Sequence, residues 1–404
     1  MKLLYTITRY WPAIGGAENQ LRETIARLPE GIEAQVQTHW NSNRTDWLLG
    51  TTLRAPCFTP YQDGTTKIEP LCLTWQDKLK LLPATLLYLP LQGWAVGQMA
   101  GAIKPLVAKN YACDLIHNVR VGREGLSYAS YKVARARDIP FFLTPYHHPR
   151  WESFFHRQYL NLYRLADGVM ASTQHERETL IELGVDERKV FVRNVGAIIE
   201  AEGDGTAFRH KYNLGDGPVV LFLGQKYAYK GYEALLNAAV PVWHNFPETR
   251  FVFIGPRTDY SRKVFAQVKD KRILELDTVS GEEKGNALAA CDIFCVPSTQ
   301  ESFGGVFLEA WTYGKPVIGC DIAAVSEVIS DGEDGLLTRQ EPGAVASKIL
   351  DLLENEATCK AMGERGKHKV ETRYSWENSV QEQMAAYNAV LGRKVAAPSL
   401  PPRP

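Results

Sequence analysis

The stretch Glu301-Ser-Phe-Gly-Gly-Val-Phe-Leu-Glu309 follows the apolar run Asp292-Ile-Phe-Cys-Val-Pro297 and is closed by Gly314 and Pro316. An apolar run of strand length, a glycine pair, further apolar positions and a Gly-x-Pro stop together predict a strand, a tight turn and a helix over 304–313. The first N–H groups of such a helix lack partners and its dipole is positive there. Gly304 and Gly305 add no side chain, so the helix start is an anion site. Carboxylates beside an anion site repel the anion unless they hold something else, and ionised carboxylates accept hydrogen bonds from hydroxyl groups strongly. The spacing therefore points to phosphates on the helix start, here Gly304, Gly305 and Val306, with a hydroxylated ring gripped by Glu301 on one side and by Glu309 on the other. That is the make-up of a nucleotide-sugar. A plainer alternative is that acidic residues simply favour a helix start, and Glu-x7-Glu alone is unspecific. Against it, Glu309 lies among Val306, Phe307, Leu308, Ala310 and Trp311, where an unpaired carboxylate is costly.

Outward from this stretch, short apolar runs alternate with helical stretches along the whole chain, which predicts parallel sheets covered by helices. In the first half, strands are expected near 3–7, 34–38, 115–117, 141–144 and 168–171, with helices near 17–27, 124–136, 152–165 and 175–183. In the second half, strands are expected near 219–223, 250–254, 273–276, 292–296, 316–319 and 335–337. Helices there fall near 232–243, 281–290, 304–313, 343–353 and 358–370. With 404 residues the chain exceeds what one core usually holds, so two α/β domains are expected. Glu200-Ala-Glu-Gly-Asp-Gly-Thr206 is polar and glycine-bearing and reads as the linker. The domains are then 1–200 and 201–373, with a helix over 374–392 and a disordered proline-rich tail over 393–404.

The chain carries no net formal charge, which disfavours a nucleic-acid partner. Met1-Lys-Leu-Leu-Tyr turns polar too soon for a signal peptide and reads as the first buried strand. Seven cysteines in no metal-like spacing suit a reduced, cytoplasmic setting. The most apolar run, Leu79 to Val96, is broken by Lys80, Pro83, Pro90 and Gln92, so one spanning helix is not expected. It reads first as a helical pair in the N-terminal core. The second reading is a peripheral membrane-facing surface at the inner face of the membrane, meeting a lipid-linked acceptor.

The stretch from Pro297 to Ile329, including Gly314-Lys-Pro-Val-Ile-Gly319 and Ser326-Glu-Val-Ile, resembles the signature of the retaining nucleotide-sugar glycosyltransferases of family 4, the glycosyl transferases group 1. The resemblance is dense from Gly224 to Gly335 and thinner from Trp40 to Asn110. It implies the GT-B fold: α/β, two doubly wound Rossmann-like domains facing each other across a cleft, with the helix after Tyr374-Ser-Trp-Glu crossing back to the N-terminal domain. It also implies that Glu309 holds the ribose, that Glu301 contacts the donor sugar, and that the base is met by backbone around Asp277–Ser280, including Val279.

Further positions join by the same resemblance. In Leu221-Phe-Leu-Gly-Gln-Lys-Tyr-Ala-Tyr-Lys-Gly231, Lys230 would neutralise the diphosphate. Gln225 stands where the family has arginine, and Lys226 follows it on the opposite side of an extended segment. Both are counted on the donor side, and the alternative for Lys226 and Lys230 is a pair of solvated loop lysines. Gly15 and Gly16 resemble the N-terminal glycine loop near the donor phosphates. Glu18 is either an acceptor contact or a helix-start residue. His147 and His148 follow an apolar strand, and one of them would serve near the reacting sugar. Arg120 and Arg123 are acceptor candidates or plain surface charges.

The activity implied is transfer of a sugar from a nucleoside diphosphate sugar (UDP- or GDP-sugar) to a hydroxyl of a carbohydrate or lipid-linked acceptor, with retention, in polysaccharide, glycolipid or glycoconjugate synthesis. The nucleotide-sugar is a co-substrate; no cofactor and no metal are expected. Three alternatives stay open. A glycosidase would use the carboxylate pair directly. A nucleotide-sugar epimerase shares the GT-B architecture. A non-catalytic nucleotide-sugar binder would suit Gln225.

Overall fold

The computed structural model describes residues 1–13, 15–42, 53–121 and 125–396. They form two compact units, Met1–Asn194 with the chain from Trp376 onward, and Val195–Ser375. In the first unit the order is β1 (Lys2–Arg9), α1 (Gly16–Ala26), β2 (Glu33–Trp40), β3 (Tyr61–Asp63), β4 (Thr66–Pro70), α2 (Trp75–Leu86), α3 (Gln92–Ile103), β5 (Leu115–Val119), α4 (Leu126–Ala136), β6 (Phe141–Thr144), α5 (Arg157–Leu165), β7 (Gly168–Ala171), α6 (Gln174–Glu182) and β8 (Val190–Val192). The second unit holds α7 (Gly205–Lys211), β9 (Val219–Leu223), α8 (Tyr232–Asn245), β10 (Arg250–Ile254), α9 (Asp259–Phe265), β11 (Ile273–Leu276), α10 (Gly281–Ala290), β12 (Ile293–Val296), α11 (Gly305–Thr312), β13 (Val317–Cys320), α12 (Ala323–Ser326), β14 (Gly335–Thr338), α13 (Pro342–Leu353) and α14 (Glu356–Thr372). The last helix, α15 (Trp376–Ala396), is counted in the first unit.

The first sheet runs β3-β4-β2-β1-β5-β6-β7-β8 and is parallel apart from the β3–β4 hairpin. Its inner strands are apolar on both faces, as a sheet covered on both sides requires. Leu4, Ile116, Leu143 and Val169 face α3 and α4, whereas Leu3, Tyr5, Ile7 and Phe142 pack with Leu21 and Tyr387. The second sheet runs β11-β10-β9-β12-β13-β14, all parallel. Numbered from β9, that is the 3-2-1-4-5-6 order of a doubly wound sheet, and its strand order reverses between β9 and β12. Its core holds Phe222, Phe253, Phe294, Phe307 and Trp311, all fully buried.

Several expectations need correction. Glu200–Thr206 is not a free linker, because the units divide between Asn194 and Val195. Val195 is already in the second core. Tyr313 Oη donates to the Ala201 carbonyl at 2.9 Å and Lys284 Nζ to the Ile198 carbonyl at 3.0 Å. A Cβ on Gly203 would stand 2.1 Å from the Gly285 carbonyl oxygen, so this glycine serves close packing rather than flexibility. The final helix reaches Ala396, so 393–396 are helical rather than tail; the rest of the expected tail lies outside the described residues. Cys57 and Cys72 form a disulfide, their Cα atoms 5.0 Å apart, while Cys113, Cys291, Cys295, Cys320 and Cys359 are free. Spacing did not disclose the pair because the β3–β4 hairpin folds the two strand ends together. Disulfides mark oxidising surroundings, so the cysteine-based ground for a reduced setting falls away. The reading of Leu79–Val96 as core holds for one face only. Among the described residues no helix is long and apolar enough to cross a membrane.

The final helix is held in the first unit by a buried polar network. Tyr387 Oη meets His117 Nδ1 at 2.5 Å and Tyr5 Oη at 3.2 Å. Gln383 donates to Tyr5 Oη at 2.9 Å and accepts from Arg193 at 2.6 Å. The backbone N–H of Asn194 donates to Glu382 at 2.7 Å. Tyr387→Phe removes one buried hydroxyl and leaves partners unpaired, which costs about 1–3 kcal/mol; a lower urea midpoint at unchanged slope is expected. Burial, reinforced by the Arg193 charge, holds the His117 pKa well below its ordinary 6.5. Its folded pKa is therefore the lower one: its contribution is complete above about 6.5 and is lost as pH falls below it. Unfolding free energy should drop on acidification below 6.5, and more steeply than in His117→Gln; equal pH profiles would exclude His117 as the source.

Candidate active site

In a doubly wound sheet, ligands bind beyond the carboxyl ends of the strands where the order reverses. In the second unit that point is served by the turns after β9 and β12. The first is residues 224–231 and the second 297–304. They are tied together: Gln340 Nε2 donates to the carbonyls of Tyr229 at 2.9 Å and Pro297 at 2.7 Å, and the Thr299 N–H donates to the Tyr229 carbonyl at 2.9 Å. Gly231 has φ 80°, and a Cβ there would lie 2.3 Å from the Pro297 carbonyl oxygen. Only glycine allows this approach. The result is that Lys230 and Glu301, far apart in sequence, meet: Lys230 Nζ donates to Glu301 Oε1 at 2.6 Å.

Gly304, at φ 87°, is the N-cap of α11, and no side-chain hydrogen bond caps this helix among the described residues. The Phe307 N–H turns back to the Gly304 carbonyl at 2.9 Å, and the N–H groups of Gly305 and Val306 ahead of it are the ones a ligand would meet. Nothing would stand within 4 Å of a Cβ on Gly305, so the space beside that turn is open. Val306 is half-buried. Glu309 lies one turn further on, buried. Burial raises its pKa, with the Lys284 charge opposing. Lys284 Nζ stands 3.2 Å from Glu309 Oε2, yet that oxygen makes no aligned hydrogen bond among the described residues. A buried carboxylate oxygen with an open acceptor position is a place for a ligand hydroxyl.

The neighbouring positions separate. Gln225 is exposed. Lys226 is fully buried; its Nζ donates to the carbonyls of Gly255 at 2.5 Å and Leu276 at 2.6 Å, and pairs with Glu275 at 2.7 Å. Burial lowers its pKa while Glu275 opposes. This corrects the donor-side expectation for Lys226: it is an internal tie between β10 and β11, turned away from the β9–β12 turns because successive side chains alternate. Val279 sits half-buried in the turn between β11 and α10, against the second core.

In the first unit the strand order also reverses, between β1 and β5. Glu18 and Arg120 come together there with Arg9, which precedes the glycine loop in the run Arg9-Tyr-Trp-Pro. Arg9 Nε donates to Glu18 Oε1 at 2.7 Å and Arg120 Nη1 lies 3.8 Å from the same oxygen. Glu18 is buried. A Cβ on Gly15 would fall 2.3 Å from Glu18 Oε2 and 2.5 Å from Arg9 Nη2, so this glycine makes room for the ion pair. Around Gly16 the space is open. Arg120 holds φ 64°, an uncommon conformation for a residue with a side chain. Arg123 lies outside the described residues. His147 is buried: its N–H donates to Glu176 at 2.6 Å and its Nε2 meets Glu152 at 3.2 Å. Burial lowers its pKa, with Glu152 opposing. His148 is partly exposed, its ring tilted against Trp151, and is the more accessible of the pair.

Sequence reasoning missed Lys284 and Gln340, which carry no motif. Their roles follow from the packing of α10 against α11 and from the turn before α13. Among the described residues no cluster of three or more His, Cys, Asp and Glu could hold a metal ion.

Comparisons with known proteins bear on the fold and on the second unit. The chain is 28% identical to D-inositol 3-phosphate glycosyltransferase of Stackebrandtia nassauensis, over 59% of this chain and 57% of that one. It is 31% identical to phosphatidyl-myo-inositol mannosyltransferase of Mycobacterium tuberculosis, over 44% and 48%. The chain spans about half the length of the curated relatives it matches. Anabaena HepE, solved in complex with UDP and glucose, superposes with a TM-score of 0.69 at 20% identity, over 95% of this chain and 98% of that one. The chain thus has the GT-B fold, and its residues 204–369 match the family described as Glycosyl transferases group 1.

Proposed function

We propose that this protein is a glycosyltransferase that moves a sugar from a nucleoside diphosphate sugar to an acceptor hydroxyl with retention of configuration. One observation carries the reading. At the reversal point of the second sheet, an uncapped helix start stands beside a Lys230–Glu301 pair and a buried Glu309 with an open acceptor position. Helix amides and a lysine suit a diphosphate, and the two carboxylates suit hydroxylated rings. The relatives named as glycosyltransferases and the neighbour solved with UDP and glucose support this choice.

In this reading the diphosphate lies on the amides of Gly304, Gly305 and Val306. Glu309 accepts from the ribose and Glu301 from the sugar. The bond from the anomeric carbon to the phosphate oxygen breaks, and the leaving diphosphate gathers charge that Lys230 stabilises. The acceptor oxygen bonds to the anomeric carbon on the same face, and its proton passes to the leaving diphosphate. No protein nucleophile, cofactor or metal enters these steps. Lys230 already lies against Glu301, so the donor finds both groups held in place. The partly exposed His148 is the candidate contact to the reacting sugar. Glu18, held by Arg9, and Arg120 are candidates for the acceptor.

Two measurements test this. A panel of UDP-, GDP-, ADP- and CMP-sugars should raise the melting temperature with one base. Glu309→Ala should remove that shift, through the loss of a charge-assisted hydrogen bond worth roughly 1.5–3 kcal/mol; an unchanged shift would take Glu309 out of the site. Lys230→Ala should lower kcat by about 10²–10³ with little change in melting temperature. Parallel losses of turnover and stability would make Lys230 a structural residue instead.

A further inference from the structure

The outer face of α2 and the turn into α3 is apolar and open to solvent. Trp75, Leu79, Leu82 and Leu86 fall on one helical stripe, at intervals of four, three and four residues. Their exposures are 71%, 60%, 40% and 72%. Leu89 and Trp94 continue the surface at 49% and 44%. The opposite face of the same segment is ordinary core: Leu81, Ala84, Tyr88, Val96 and Met99 are buried. The helix pair is thus apolar on both sides, although a helix at a protein surface normally turns a polar face outward. A contiguous exposed apolar surface of this kind marks an interaction site.

The charge around it selects the partner. Between Asp77 and Asp114 the chain has four lysines, at 78, 80, 104 and 109, and no acidic residue; Asp77 itself lies in the first turn of α2, where it closes a capping box with Thr74. Lys80, Lys104 and Lys109 are exposed, whereas Lys78 is engaged with the Ala55 carbonyl at 2.7 Å. A protein partner of mixed charge would give no reason for the excess of lysine from Trp75 to Asn110, where the one carboxylate, Asp77, is engaged in the α2 cap. A surface that is apolar below and negatively charged at its boundary does. Leucines with tryptophans beside lysines form the composition of a helix lying in a bilayer interface, where the indole rings sit at headgroup depth. We infer that the α2–α3 hairpin docks this protein on an anionic lipid bilayer, with Leu79, Leu82 and Leu86 entering the acyl boundary and Lys80 and Lys104 meeting headgroup phosphates. The inference rests on this surface alone and stands apart from the transferase reading.

The test is co-sedimentation of the full chain with phosphatidylcholine vesicles, with and without phosphatidylglycerol, alongside Leu79→Glu/Leu86→Glu and Lys80→Ala/Lys104→Ala. All three proteins are first checked for the same melting temperature; exposed positions should leave it unchanged, and Trp75→Phe offers a milder change should the glutamates unfold the chain. Expected are tighter binding to the anionic vesicles, loss of sedimentation with the glutamate pair, and on the order of tenfold weaker anionic binding with the lysine pair. Tryptophan emission should shift to the blue on binding, less so in Trp75→Phe. No sedimentation with either vesicle would overturn the inference, as would sedimentation that survives the glutamate pair. Equal binding to both vesicles would overturn the choice of an anionic surface. Dimers that the glutamate pair dissociates, without vesicle binding, would show that a second copy covers this face.

Discussion

The reversal of strand order between β9 and β12 is the constraint on which the candidate site depends. Crossovers between parallel strands are right-handed. When the order reverses, the connection from β9 to β10 and that from β12 to β13 therefore leave on opposite faces of the sheet. The turns beyond the two strand ends are then free to approach one another, and nothing from the sheet fills the place between the helix starts. Glycine makes the approach close. Gly231 and Gly304 both adopt positive φ, at 80° and 87°, and each begins a helix without contributing a capping side chain. In the first unit the equivalent helices start at Gly15 and Gly125. Among the other helices, α6, α7, α10 and α14 are capped by Thr173, Asp204, Ser280 and Asn355, whereas α3, α5, α12 and α13 have no side-chain cap either. What sets the helix starts at the two reversal points apart is that each follows a glycine, which adds no side chain to the space a ligand would enter.

Charge in this region is sorted by backbone direction. Lys226 and Lys230 are four residues apart, yet one is buried on the far side of the sheet edge and the other faces Glu301. A buried lysine is tolerable only when paired and hydrogen-bonded, and Glu275 with two carbonyls provides that. Glu275 in turn is shared with Arg257 at 2.6 Å. Glu309 is treated differently. Its companion Lys284 is near enough to favour the charged form but is not aligned to satisfy Oε2. The structure therefore spends its hydrogen bonds on the lysine that braces the sheet and leaves an acceptor open on the carboxylate beside α11.

The legibility of the fold in the sequence followed the length of each signal. The buried strands at 141–144 and 168–171 and the helix at 281–290 coincide with the observed elements, because an apolar run between polar breaks has few ways to be buried. Short elements were not marked: β3, β8, α7 and α9 span three to seven residues and carry too few turns for a period to show. The glycines of 200–206 misled for a physical reason, since a flexible connection and a close helix contact require the same residue. Site residues with a local pattern, such as Gly304 and Glu309, could be singled out. Lys284 and Gln340 could not, as their roles arise from contacts between elements.

By itself the amino-acid sequence determined the alternation of strand and helix, the glycine-marked helix starts and the acidic pair around one of them. These are local properties: apolar periodicity, backbone freedom at glycine, and side-chain chemistry at fixed spacing. Tertiary structure alone decided that Lys230 meets Glu301 while Lys226 turns away, that Cys57 closes on Cys72, that His147 is enclosed while His148 is open, and that one side of the α2–α3 apolar run faces solvent. Each of these depends on which distant segment occupies the other side of a residue, and only the folded chain brings those segments together.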